Sequence, residues 1–194
     1  MPDSAQTNII EATLVHNRAF VEGTDKRPRD LSGRPRKHLA VVSCMDTRLT
    51  RMLPQVLGLD DGDAVFIKAA GATIVSPYGE VMRSLVVAVA ELGVREVMVV
   101  GHTDCGTCGM TADDLIEALR AAGVDEKNLA AAQATAPTDR FLTGFSCLED
   151  EVARGVRTIR EHPLMPPTVV VRGFTIDVAT GALREVTPRA GRAN

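Results

Sequence analysis

The stretch LAVVSCMDTR, residues 39–48, leads from an apolar segment into a cysteine, an aspartate and an arginine. A second stretch, VMVVGHTDC at residues 97–105, leads from an apolar segment into a histidine and a cysteine. Short, continuous apolar segments are typical of strands that are buried on both faces of a parallel sheet. The two stretches therefore predict two buried strands, each followed at its carboxyl end by polar or sulfur-containing side chains.

The sequence around these two strands predicts an α/β fold. Residues 64–67 predict another buried strand, and residues 77–92 predict a helix with proline at its start. Strand, helix and strand at this spacing favour a right-handed parallel crossover. The further predicted elements are a helix over 50–57 interrupted near Pro54, helices over 111–122 and 146–161, strands over 168–172 and 174–178, a turn over 179–182 and a last strand over 183–186. We expect a mainly parallel central sheet flanked by helices, with a C-terminal β-hairpin.

The chain is predicted to consist of an N-terminal arm, residues 1–38, and one α/β domain, residues 39–194. A length of 194 residues is enough for one domain with a substantial core. The arm combines an amphipathic helix over 9–21, free to pack on a partner subunit, with a solvated basic loop. The basic residues of this loop are Lys26, Arg27, Arg29, Arg34, Arg36 and Lys37.

Composition excludes several classes of partner. A net charge of −3 argues against nucleic acid, because phosphate binding requires a basic surface. No apolar run approaches the ~20 residues needed to cross a bilayer, and the first twenty residues lack the apolar core of a signal peptide. We therefore expect a cytoplasmic protein that does not bind membranes. Four cysteines in such a chain indicate metal binding or catalysis rather than disulfides.

Cys44, His102 and Cys105 form a candidate zinc-ligand set, because zinc prefers cysteine thiolate and histidine nitrogen in a tetrahedral shell. The carboxyl ends of neighbouring parallel strands meet at a crevice where ligands usually bind, which would bring residues 44 and 102 together. Three protein ligands leave a fourth position for water, as in catalytic zinc sites. Cys108 is the alternative fourth ligand of a closed structural site, although we expect it to be a small buried residue in the following turn.

Asp46 and Arg48 lie two residues apart in an extended segment, so their side chains emerge on the same side and can pair. Asp46 then has two possible roles. It can ligate zinc and close the site, or it can pair with Arg48 and leave the metal open to water. The residues alone leave both roles open.

Cys-x-Asp-x-Arg followed by His-x-x-Cys, each at a strand end, resembles the β-class carbonic anhydrases. The similarity extends to Gly71, to residues 101–106 and to the hairpin over 177–183. It implies a β-carbonic anhydrase-like fold, with homodimers that are often paired into tetramers and N-terminal helices that embrace the neighbouring subunit. It also implies one zinc ion per subunit. The implied zinc ligands are Cys44, His102 and Cys105. Asp46 is implied to be an exchangeable fourth ligand, and Arg48 the partner of that carboxylate.

The activity implied by the resemblance is the reversible hydration of CO₂ to bicarbonate and a proton by zinc-bound hydroxide. Two residues depart from the usual pattern: Ala69 stands where related sequences carry asparagine, and Cys108 is an addition. One alternative is hydrolysis of another small heterocumulene, CS₂ or COS. A second alternative is a non-catalytic zinc-binding or redox-sensing protein.

Overall fold

The computed structural model describes residues 9–22, 32–135 and 139–187. The chain divides into two compact units, residues 1–31 and residues 32–194. The described part of the first unit is helix α1 (Ile9–Glu22), as the sequence predicts. Lys26, Arg27 and Arg29 of the basic loop lie outside the described residues, and the predicted boundary after residue 38 stays a prediction.

The second unit is built on one five-stranded sheet with the strand order β2-β1-β3-β4-β5. The first four strands are parallel and β5 is antiparallel to β4, which confirms the predicted fold class. No helix within the described ranges is long and apolar enough to cross a membrane. The strands are β1 (Leu39–Cys44), β2 (Ala64–Ala69), β3 (Glu96–His102), β4 (Val170–Ile176) and β5 (Leu183–Glu185); the helices are α2 (Leu49–Val56), α3 (Glu80–Ala90), α4 (Ala112–Ala121), α5 (Glu126–Thr135) and α6 (Leu148–Arg160).

The strand order creates a topological switch point beside β1. From β1 the chain passes to β2 on one side, and then crosses to β3 on the other side of β1. The register between β1 and β3 pairs Ser43 with Val100, so both strands end at the same edge of the sheet. Loops that leave a switch point in opposite directions open a crevice at the carboxyl ends of the strands. Cys44 and His102, the last residues of β1 and β3, lie at this crevice.

Helix α6 packs closely on β3 and β4 because two glycines face it. A Cβ atom at Gly173 would lie 2.6 Å from Val152 Cγ1, and a Cβ at Gly101 would lie 2.8 Å from Val152 Cγ2. The prediction of two strands separated at Gly173 was wrong: β4 is continuous, and Gly173 pairs with Val99 in the middle of the ladder. Its missing side chain makes room for the helix instead of ending the strand.

Two other local predictions differ from the structure. Helix α2 runs through Pro54 without interruption, although the proline lacks the N–H that a helical hydrogen bond requires. Helix α3 begins at Glu80, with Gly79 as its N-cap, three residues after the predicted start at Pro77. The described end of the basic loop is solvent-exposed, as the sequence predicts, and it is also tied to the turn before β2: Arg36 Nε donates to Asp63 Oδ1 at 2.9 Å and Lys37 Nζ lies 3.2 Å from Asp63 Oδ2.

Candidate metal centre

Cys44, His102 and Cys105 meet in a buried cluster at the switch point. Their ligand atoms lie within 4.8 Å of one another, and the two sulfur atoms are 4.0 Å apart. A tetrahedral ion with zinc–sulfur bonds of about 2.3 Å holds its two sulfur ligands about 3.8 Å apart. The spacing of the two sulfur atoms therefore suits tetrahedral zinc.

The imidazole of His102 is oriented as a metal ligand. Its Nδ1 lies 2.8 Å from the carbonyl oxygen of Thr103, and because a carbonyl only accepts, Nδ1 carries the proton. The lone pair is then on Nε2, which is fully buried and has no hydrogen-bond partner among the described residues. An unsatisfied buried nitrogen costs about 1–3 kcal/mol, which coordination to a cation would remove.

The sulfur atom of Cys44 lies in a small cradle of backbone N–H groups. The N–H of Gly71 donates to Cys44 Sγ at 3.3 Å, and the N–H of Asp46 also donates to it. Burial raises the pKa of the Cys44 thiol, these two N–H groups lower it, and the nearby sulfur of Cys105 raises it again, with a net increase. The thiol form is therefore favoured at neutral pH, and a bound metal cation would displace its proton.

The turn after β3 brings Cys105 back towards the imidazole. Asp104, at the middle of this turn, has a left-handed backbone with φ of +53°, a conformation that aspartate tolerates better than most residues. Cys105 Sγ lies 3.1 Å from the hydroxyl oxygen of Thr107. Sequence reasoning did not single out Thr107, because nothing in the spacing of the chain indicates this contact.

Asp46 is paired with Arg48, which is one of its two predicted roles. Arg48 approaches side-on, with Nε 3.1 Å from Oδ1 and Nη2 2.8 Å from Oδ2. These hydrogen bonds lower the pKa of Asp46 to about 2, so the carboxylate is ionised at neutral pH. Asp46 Oδ2 lies 3.8 Å from His102 Nε2, beside the cluster but outside it. Zinc ligation by Asp46 stays a prediction.

The other edge of the Arg48 guanidinium binds the turn that carries Cys105. Nη1 lies 2.7 Å from Asp104 Oδ2, and Nη2 donates to the Asp104 carbonyl oxygen at 2.9 Å. Arg48 thus cross-links the loop after β1 to the loop after β3. Sequence analysis did not assign this role to Asp104, although the residue stands inside the second stretch.

The two departures from the family pattern have different positions. Ala69 pairs with Cys44 in the sheet, and its carbonyl oxygen accepts from the N–H of Met45. Cys108 is exposed, so the expectation of a buried residue was wrong. The turn keeps Cys105 inside the cluster and places Cys108 at the surface, and among the described residues Cys108 does not belong to a cluster of potential metal ligands.

Comparisons with known proteins agree with this geometry. A family model described as carbonic anhydrase matches residues 39–183. The chain is 41% identical over 175 residues to YvdA of Bacillus subtilis, whose name assigns it provisionally to the carbonic anhydrases, with coverage of 90% of this chain and 89% of that protein. It is 30% identical over 164 residues to a carbon disulfide hydrolase of Acidithiobacillus thiooxidans, with coverage of 80% of each. The crystal structure of β-carbonic anhydrase isoform I from Trichomonas vaginalis matches with a TM-score of 0.84 at 29% identity, over 92% of this chain and 97% of that one.

Proposed function

The chain belongs to the β-carbonic anhydrase family, and we propose that it catalyses the zinc-dependent, reversible hydration of CO₂ to bicarbonate and a proton. The observation that carries the proposal is the buried cluster of two sulfur atoms and one imidazole nitrogen. A carboxylate held ionised by an arginine stands beside it.

Cys44, His102 and Cys105 would hold the zinc ion through Sγ, Nε2 and Sγ. Bound zinc supplies Lewis acidity, which lowers the pKa of a water molecule from roughly 15.7 to about 7 and provides hydroxide near neutral pH. Two of the three donor residues, Cys44 and His102, end adjacent hydrogen-bonded strands, which holds them close to each other. Nδ1 of His102 keeps its proton and donates a hydrogen bond to the Thr103 carbonyl oxygen, which leaves Nε2 free for the metal.

Asp46 would orient the attacking hydroxide. An ionised carboxylate can only accept hydrogen bonds, so Asp46 would accept one from the hydroxide and leave an oxygen lone pair directed at the carbon atom of CO₂. Arg48 holds the carboxylate in this position with two N–H donors. Should the carboxylate move inward, it would take the fourth ligand position itself, as the sequence analysis allows.

A second candidate activity is hydrolysis of CS₂ or COS. It is favoured by the similarity to a carbon disulfide hydrolase, 30% identical over 164 residues. CS₂ and COS share with CO₂ an electrophilic carbon atom between two heavier atoms, so the same nucleophile suits all three.

We also propose that the subunits associate as homodimers or tetramers through the N-terminal arm. Apolar side chains of α1, between 45% and 69% exposed, support this assembly: Ile10, Leu14, Val15 and Phe20. A cytoplasmic location is proposed as well, because free thiols such as those of the four cysteines persist in a reducing compartment.

The test is a stopped-flow assay with a pH indicator on zinc-loaded protein of confirmed metal content. We expect CO₂ hydration well above the buffer rate, loss of zinc and activity in Cys44→Ser, and retention of both in the matched variant Cys108→Ser. Sulfide release from CS₂ and COS, measured on the same samples, decides between the two candidate activities. A fully zinc-loaded protein without CO₂ hydration at alkaline pH would overturn the main proposal.

A further inference from the structure

The hydroxyl group of Thr107 lies 3.1 Å from the sulfur of Cys105, and the direction of this hydrogen bond depends on the state of the sulfur. A thiol can donate to the hydroxyl oxygen or accept from it. A metal-bound thiolate has no proton, so the hydroxyl must donate. In the metal-loaded protein, Thr107 is therefore a hydrogen-bond donor to a metal ligand.

Thr107 lies in a slot that two glycines create. A Cβ atom at Gly71 would lie 2.4 Å from Thr107 Oγ1, and a Cβ at Gly144 would lie 1.8 Å from the Thr107 carbonyl oxygen. The same carbonyl accepts from the N–H of Phe145 at 3.2 Å. The backbone and the hydroxyl of Thr107 thus both have little room to move, and the hydroxyl lies beside Cys105 Sγ.

Gly71 contacts the hydrogen-bonding surroundings of both sulfur atoms. Its backbone has φ of +64°, and its N–H donates to Cys44 Sγ at 3.3 Å while its bare Cα makes room for the Thr107 hydroxyl. Each thiolate ligand therefore has a hydrogen-bond donor of its own: a backbone N–H for Cys44 and a hydroxyl for Cys105. A buried thiolate needs such donors, because burial otherwise disfavours its negative charge.

We propose that Thr107 is a positioning residue of the metal centre, whose hydroxyl donates to the Cys105 thiolate and sets both its direction and its donor strength. The proposal rests on the metal centre of the proposed function. A hydrogen bond withdraws electron density from the sulfur, which leaves more positive charge on the metal. It also stabilises a thiolate that would otherwise be poorly solvated, so its loss weakens metal binding.

The experiment uses Co(II) in place of zinc, because thiolate-to-cobalt charge transfer reports directly on the sulfur atoms. We expect Thr107→Val to shift this absorption band to lower energy and to weaken Co(II) and zinc binding by about 10- to 100-fold. Thr107→Ala, which only removes atoms, is expected to do the same if valine disturbs folding. Thr107→Ser should restore the band, and Thr73→Val is the matched control, since the Thr73 hydroxyl oxygen also lies near Gly71, 3.1 Å from the same Cβ position.

The possible outcomes separate this proposal from the proposed function. A charge-transfer band and a metal affinity that are unchanged in folded Thr107→Val and Thr107→Ala would overturn the role of Thr107 and leave the metal centre intact. A serine variant that behaves like the alanine variant would also overturn it, because the hydroxyl would then not be the cause. Absence of any thiolate-to-cobalt band in the unaltered protein would overturn the metal centre, and this proposal with it.

Discussion

Replacement of Arg48 by lysine tests the part of the site that distinguishes an open metal centre from a closed one. Four of the five guanidinium N–H groups are engaged, two with Asp46 and two with Asp104. A lysine ammonium is a single point charge on a flexible stem, so it can replace one of these pairs but not bridge both carboxylates. Arg48→Lys therefore keeps the charge and removes the bridge.

The expected size of the effect follows from the exposure of the pair. Arg48 is 43% exposed and Asp46 is 17% exposed, so the pair lies at the surface side of the site. Solvent screens such a pair, and we expect it to favour the Arg48-paired position of Asp46 by no more than about 1 kcal/mol. One kcal/mol changes an equilibrium constant about fivefold. The carboxylate oxygen needs little movement to take the fourth ligand position, since Asp46 Oδ2 is already 3.8 Å from His102 Nε2. We expect the equilibrium towards the metal-ligated form of Asp46 to shift about fivefold in Arg48→Lys, and kcat/KM for CO₂ at neutral pH to fall by at most the same factor.

The assay combines stopped-flow CO₂ hydration with X-ray absorption at the zinc edge, which separates a carboxylate from a water ligand. Arg172→Lys is the matched control, because Arg172 makes a similar fork with Glu185 at an exposed position of the sheet. An Arg48→Lys enzyme with the unaltered rate and unaltered zinc coordination would refute the idea that the bridge restrains Asp46. Equal losses in the two lysine variants would refute it as well.

Three further outcomes concern stability. Gly173→Ala should destabilise the fold by about 1–3 kcal/mol, because its Cβ would overlap Val152. Gly155→Ala, within helix α6, should stabilise the fold by about 0.5–1 kcal/mol, because its Cβ would lie 3.4 Å from Val99 Cγ1 without overlap. Urea unfolding of both variants checks the pair, and changes of the same sign would contradict the packing argument. Burial opposes ionisation of Glu151, but hydrogen bonds and charge from its arginine partners outweigh burial and lower its pKa below the usual 4.5. The stabilisation from ionised Glu151 is therefore present above pH 4.5 and is lost as the pH falls through the lowered pKa of the folded state. Glu151→Gln should flatten the acid side of the curve of unfolding free energy against pH, and an unchanged slope would contradict this. Removal of metal by a chelator should abolish CO₂ hydration and lower Tm without loss of the far-UV dichroism spectrum, and unfolding on chelation would show that the donors are not held by the sheet.

The sequence permits prediction of the ligands because their placement depends on local patterns and one topological rule. The apolar segments before Cys44 and His102 identify two buried strands, and parallel strands end at a common edge. The order β2-β1-β3 then places these two residues at a switch point. None of these steps requires knowledge of a turn conformation or of a contact between side chains.

The contacts that tune the ligands depend on features that sequence patterns do not carry. The Arg48–Asp104 bridge needs the left-handed backbone at Asp104, and aspartate adopts many other conformations in turns. The Thr107–Cys105 contact needs bare Cα atoms at Gly71 and Gly144, which are distant from Thr107 in the sequence. Gly173 illustrates the same limit in the fold, since a glycine within an apolar segment reads as a break until the helix that covers it is known.

The position of the cluster on the sheet explains why its donor atoms lie close together. Ser43, one residue before Cys44, and Val100, two residues before His102, are fully buried and paired in the central ladder. The separation of the loops that follow is therefore set by the β1–β3 hydrogen bonds, and Arg48 fixes it a second time through Asp104. In small zinc domains the metal contributes most of the folding free energy, because no preformed site exists without it. Here the apolar core and the central ladder supply that order, so we expect loss of a bound metal to lower Tm without unfolding the sheet.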